Sequence, residues 1–285
     1  MDASLAETLD HQTARALLEW QIELGATEAI AEEPIDRFEA VDQPPARDAA
    51  QPGRSGTGAP ASAGAAAPTG PTGHVPMPEV DPVAEATAAA MGAGDLEALA
   101  RAQAAFEHCE LKKGARNFVF SDGLAGARVM ILGEAPGRDE DIEGRPFVGK
   151  AGQLLDRMLD AIGLARGAED PGRAVYIANI LPWRPPGNRD PQPDEVAMMM
   201  PFVEKHVALA APDVLVLMGN VSCHACLGQK GITRLRGNWT EALGRPVLPM
   251  LHPAYLLRTP DAKRLAWADL LSLRARLERA EGDAG

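Results

Sequence analysis

Three side chains draw attention because each stands at or shortly beyond the end of an apolar run. Asn179 closes Val175-Tyr176-Ile177-Ala178, and His252 follows the run 247–251 and precedes Pro253. Phe147 lies in a glycine-rich stretch beyond Val129-Met130-Ile131-Leu132. A carboxamide both donates and accepts, so Asn179 matches the adjacent N3–H and O4 on the edge of a pyrimidine. A phenylalanine between Pro146 and Val148 offers a flat face on which a base can stack. An imidazole can donate to an oxygen that becomes anionic, and Pro253 stiffens the turn that carries it. Each also has a plain structural alternative: a backbone cap, a loop anchor, a packed histidine. Spacing alone leaves these open.

The surrounding loops add charge. The stretch 133–152, GEAPGRDEDIEGRPFVGKAG, opens with Gly133, Glu134, Ala135, Pro136 and Gly137, and carries further glycines at 144, 149 and 152. Glycines between a strand and a helix suit an anion at the helix N-terminus. The spacing fits neither a dinucleotide fingerprint nor a phosphate-binding P-loop, and the carboxylates from Glu134 to Glu143 would repel a triphosphate. Arg138, Lys150, Arg184, Arg189 and Arg258 are candidate partners of nucleic-acid phosphates. Arg234, Arg236 and Trp239 form a further basic-aromatic group, and Tyr255, Leu256 and Leu257 read as an exposed wedge able to replace an extruded base.

The elements that must position these residues follow from hydrophobic periodicity. Apolar runs at 129–132, 175–180, 214–217 and 247–251 predict strands. Helical patterns at about 151–164, 194–210, 221–227 and 261–279 separate or follow them. Continuously apolar strands alternating with helices imply an α/β/α sandwich around a four-stranded parallel sheet covered on both faces. Ligands in such sheets bind beyond the carboxyl ends of the strands, where all these loops fall.

Composition narrows the classes. At 285 residues the chain holds one large domain or a domain with appendages, and 46% hydrophobic residues suffice for a core. Segment 42–82 has nine Pro, six Gly and no Leu, Ile, Phe, Tyr or Trp, so it reads as a disordered linker. Ahead of it, Leu5, Leu9, Leu17, Trp20 and Leu24 predict an amphipathic helix within 1–41, with a possible protein partner of unknown identity. Residues 83–285 form the expected globular domain. The net charge of −12 is concentrated at the N-terminus: residues 1–94 carry 4 Arg against 15 Asp/Glu, whereas 95–285 carry 24 Lys/Arg against 25 Asp/Glu. A nearly neutral domain can bind a polyanion if its cations cluster. The absence of a long apolar run or a basic, apolar leader points away from membrane and secretion, toward the cytoplasm, and a monomer is expected. Three cysteines, at 109, 223 and 226, exclude a disulfide scaffold.

Taken together, GEAPGRDEDIEGRPFVGKAGQLL, YIANILPWRPPGNRDP, RLRGNW and HPAYLLR, in that order, resemble the family 4 uracil-DNA glycosylases over roughly Cys109 to Leu277. The resemblance implies that uracil in DNA is the substrate and excision of the base the reaction, initiating base-excision repair. Phe147 would then stack on the flipped uracil, Asn179 would read its edge, and His252 would face O2. Glu140 would lie near C5, where a thymine methyl clashes, and HPAYLLR would enter the duplex. Other families of the fold have Asp or Asn where this chain has Ala135, which leaves Glu134 or Glu140 to position the attacking water. The family also carries a 4Fe-4S cluster on four cysteines, whose positions correspond to Phe106, Cys109, Trp183 and Met199. One cysteine cannot hold a cubane cluster, so no cofactor or metal is expected and the three bulky residues should fill the space. Cys223 and Cys226 read as packed, reduced thiols. The alternative to an enzyme is a catalytically weak DNA- or partner-binding protein on the same fold.

Overall fold

The structure is a computed structural model describing residues 81–282, with side chains to residue 279. The chain divides between Thr72 and Gly73 into two units, and the described residues belong to the second. The N-terminal helix and nearly all of the linker expected from sequence lie outside the described residues. At the linker's end, the Asp81 carboxylate caps a helix whose first residue is Pro82, where a missing N–H does no harm.

The elements in chain order are α1 (Pro82–Met91), α2 (Leu96–Ala105), α3 (Leu111–Gly114), β1 (Ser121–Gly123), β2 (Val129–Gly133), α4 (Arg138–Glu143), α5 (Lys150–Asp160) and β3 (Val175–Asn179). They continue with α6 (Pro193–Ala210), β4 (Val214–Met218), α7 (Asn220–Leu227), α8 (Ile232–Leu235), β5 (Thr240–Ala242), β6 (Arg245–Met250), α9 (Pro253–Arg258) and α10 (Lys263–Gly282). The sheet order is β1-β3-β2-β4-β6-β5. Its central four strands are parallel, and β1 and β5 are short antiparallel edges.

Strands β2, β3 and β4 are buried at every residue because helices cover both faces. Side chains alternate between those faces. Met130, Leu132, Tyr176, Ala178, Leu215 and Leu217 share one core with α1, α2 and α6, including Leu99 and Phe202. Val129, Ile131, Val175, Ile177, Val214 and Val216 point the other way, toward Leu155 and Leu159 of α5 and Leu270 and Leu273 of α10. This is the sandwich expected from sequence, with two additions.

The edge strands, Ser-Asp-Gly and Thr-Glu-Ala, lack any apolar signature. A hairpin joins β5 to β6 through Leu243 and Gly244, at φ 52° and 68°. Positive φ at both loop residues suits a turn that matches strand twist. Short polar edges also resist pairing with a second sheet. No helix among the described residues is long and apolar enough to cross a membrane.

Candidate active site at the carboxyl ends of the strands

The carboxyl ends of β2, β3 and β6 and the residues just beyond them converge on one cavity of about 430 Å³. Its wall includes Glu134, Ala135, Pro136 and Gly137 from the loop after β2, Asn179 from β3, and His252 just beyond β6. Glu140, Phe147, Arg189 and Arg258 complete the set of expected residues that line it. Gly133 lies directly behind the wall. A Cβ there would overlap the Asn179 carboxamide oxygen and come within 2.6 Å of the Phe147 ring, so only glycine permits both side chains to meet.

Asn179 is 8% exposed, and its Oδ1 is buried without a hydrogen-bond partner among the described residues. A buried carbonyl left unpaired costs roughly 1–3 kcal/mol. Such an orphan in a cavity wall marks a place where a donor is expected. The structural alternative, in which Asn179 caps local backbone, would have consumed that oxygen.

His252 has one nitrogen fixed. It caps α9, and its Nδ1 accepts from the Ala254 N–H at 3.1 Å. Nδ1 is therefore unprotonated, and the neutral ring carries its proton on Nε2. The ring keeps some surface open to the cavity yet lies deep in the protein, and this burial pushes its pKa down to about 4. Arg258 acts in the same direction, while Glu140 opposes it. At neutral pH His252 is thus an uncharged donor. Its ring stacks against Phe147, with centroids 5.5 Å apart and planes 28° from parallel.

The two glutamates have different surroundings. Glu140 accepts from the backbone N–H of Gly137 at 3.1 Å, and from those of Val148 and Gly149 at 3.0 Å each. It ties the two glycine-rich segments together. Glu134 has no such bonds among the described residues, and burial raises its pKa, assisted by the charge of Asp190. Asp190 also lines the cavity. Asp190 falls within YIANILPWRPPGNRDP, where its residue type alone does not distinguish it from a solvated loop acid.

The cations divide similarly. Arg138 and Lys150 are exposed at the starts of α4 and α5. Arg184 donates to Asn188 Oδ1 at 2.7 Å, which shapes the Pro-rich loop. Arg189 forms a forked pair with Glu195, at 2.9 and 2.6 Å. Arg236 is a strut: its guanidinium grips buried Asp269 of α10 and the Leu265 carbonyl. Trp239 donates to Ser272 Oγ and lies beneath Arg276, packed against the core. Of the basic-aromatic group expected around RLRGNW, Arg236 and Trp239 therefore brace α10, while Arg234 is exposed.

The expected wedge needs one correction. Residues 253–258 form a helix, so successive side chains diverge by about 100°. Tyr255 and Leu257 are exposed, whereas Leu256 is 1% exposed and packs with Leu251, Ala262 and Ala266. Leu256 anchors the helix and does not form part of the exposed surface.

The positions that would hold an iron-sulfur cluster do not fit one. Phe106, Trp183 and Met199 offer no thiolate, and all three are buried with Cys109 in the core shared with α6. Phe106 meets Phe202 edge-on, Trp183 meets Phe118, and Gln103 Nε2 donates to the Met199 sulfur at 3.7 Å. Burial raises the Cys109 thiol pKa, which opposes metal ligation. Among the described residues, no group of three or more His, Cys, Asp or Glu could hold a metal ion. Cys223 and Cys226 are free thiols, both pushed up to about 12 by burial.

The profile of the uracil DNA glycosylase superfamily matches residues 120–271. A type-4 uracil-DNA glycosylase of Thermotoga maritima is 38% identical over 167 residues, covering 57% of this chain and 84% of that protein. The type-4 uracil-DNA glycosylase of Archaeoglobus fulgidus is 39% identical over 164 residues, covering 54% and 79%. That of Sulfurisphaera tokodaii is 35% identical over 176 residues, covering 58% and 77%. The cavity, its wall residues and the sheet that carries them all fall within the matched region, and the chain belongs to the uracil-DNA glycosylase superfamily, with the type-4 enzymes among its relatives.

Proposed function

We propose that this chain is a uracil-DNA glycosylase: it takes uracil out of the DNA stack, hydrolyses the N1–C1′ bond and leaves an abasic site that starts base-excision repair. The observation that carries the assignment of roles is the unpartnered Asn179 oxygen beside the neutral His252 donor. Uracil presents N3–H to Asn179 Oδ1 and O4 to its N–H₂. Phe147 stacks on the ring face. Glu140 fixes the loop that places Phe147 and closes the wall where a thymine methyl would project.

As N1–C1′ breaks, its electron pair passes to the uracil ring and the sugar gains oxocarbenium character, as in glycoside hydrolysis. His252 Nε2–H donates to O2 as charge develops there, and a preorganised donor of this kind is typically worth about 10²–10³ in rate. Water attacks C1′ from the side of Glu134. A carboxylate with a raised pKa is a better base, and Glu134 accepts the water proton. Arg138, Lys150, Arg189 and Arg258 neutralise backbone phosphates, while Tyr255 and Leu257 occupy the gap left in the stack. The same reading has the enzyme working without an iron-sulfur cluster, because Phe106, Trp183 and Met199 offer no thiolate, and as a cytoplasmic monomer.

The test is cleavage of a uracil-containing oligonucleotide by the full chain, after treatment that breaks abasic sites. The wild type should release uracil, and His252→Ala and Asn179→Ala should do so far more slowly. Complete retention of uracil by the wild type would favour the DNA-binding alternative, and equal rates in all three proteins would refute the roles.

A further inference from the structure

Phe147 adopts φ +53°, a left-handed conformation that aromatic side chains rarely take. The surrounding structure must therefore impose it. Glu140 holds the N–H groups that follow, those of Val148 and Gly149. The carbonyls are held from elsewhere. Arg166 donates from Nη1 to the Pro146 carbonyl at 3.0 Å and from Nη2 to the Phe147 carbonyl at 2.8 Å.

The same guanidinium is oriented by two carboxylates. Asp122 of β1 lies 3.0 Å from Nη1, and Asp156 of α5 lies 2.8 Å from Nε. The Arg166 side chain is 16% exposed, and it does not line the cavity. Nor is there slack on the far side: a Cβ at Gly152 would overlap the Phe147 carbonyl. The carbonyls of Pro146 and Phe147 and the N–H groups of Val148 and Gly149 are thus all engaged, and the rigid fork of an arginine is the only common side chain able to meet two carbonyls and two carboxylates at once.

The geometry points to Arg166 as a positioning residue that sets the Phe147 ring against His252 by holding two consecutive carbonyls of its loop. The inference rests on the reading of Phe147 as the stacking wall for the base. It also gives the edge strand β1 a part in the site, through Asp122.

The test combines structure with a double-mutant cycle in the full chain. In crystal structures of Arg166→Met and Arg166→Lys, Phe147 should leave the left-handed region and its ring should move from His252. Lysine keeps the charge for Asp122 and Asp156 but cannot fork to both carbonyls, so it separates loss of the fork from loss of the fold. An unmoved Phe147 in either variant overturns the proposal, whatever the activity. In single-turnover excision, Arg166→Lys should lower the rate about tenfold, within the coupling range of residues in one network. In a Phe147→Ala background, the same substitution should change it less than twofold. Equal losses in both backgrounds overturn the proposal, because Arg166 would then act by another route. Should Phe147→Ala alone leave excision unchanged, the reading of Phe147 as a wall fails, while the crystal structures still judge whether Arg166 fixes its conformation.

Discussion

Asn179 closes β3 and Trp183 follows four residues later, yet they stand in opposite kinds of surroundings. Asn179 is buried with an unsatisfied oxygen at a cavity. Trp183 is buried among Phe106, Cys109 and Met199 and meets only packing partners. The first region keeps a polar group available at some cost in stability. The second is filled with apolar side chains that offer a single thiol. The difference teaches that, on the proposed roles, recognition of the base and support of the fold fall to separate groups of residues only four positions apart.

Substitutions should reveal that separation as crossed effects. Trp183→Ala should be the most costly, lowering stability by about 3–5 kcal/mol, the usual range for truncating a buried Trp. Denaturant unfolding checks this, and below the transition the excision rate should change little. His252→Ala should do the reverse: a loss of about 10²–10³ in single-turnover rate with a small shift in Tm. A large rate loss in Trp183→Ala at temperatures where it stays folded would break the comparison.

Acid should probe both sides more gently. Burial holds the folded pKa values of His206 and His252 at about 4, against an ordinary value of 6.5. The unfolded chain therefore takes up protons first, and stability should fall as pH drops from 6.5 toward 4 while staying level above it. The slope is about 1.4 kcal/mol per pH unit per histidine at most. Glu134, whose pKa burial raises, runs the opposite way and offsets part of the loss. Calorimetric Tm values across that range check the sign. The smallest expected effect is none: prolonged treatment with an iron chelator should leave Tm and excision unchanged. A fall in either would return a metal to the account.

Much of this was legible from sequence for a physical reason. Strands β2, β3 and β4 are buried on both faces, so their composition announces them. Strand-end positions then pick out Asn179 and His252, and the aromatic in a glycine-rich loop picks out Phe147. The edge strands were not legible, because three polar residues carry no period and Leu243-Gly244 lacks the usual turn signal. Helices α4 and α9 have six residues each, too few for periodicity to show, which is why Leu256 was assigned to the surface. Arg166 was invisible, since it lies 19 residues beyond Phe147 in a polar stretch and acts through backbone carbonyls. The proposal of Glu134 over Glu140 draws on the three N–H groups that converge on Glu140, which no pattern in the sequence announces.

The most direct measurement is a crystal structure of the protein with uracil bound. The base should sit face-on to Phe147, with N3–H donating to Asn179 Oδ1 and O2 accepting from His252 Nε2. Uracil settled elsewhere, or Asn179 turned away to satisfy its own backbone, would contradict the account.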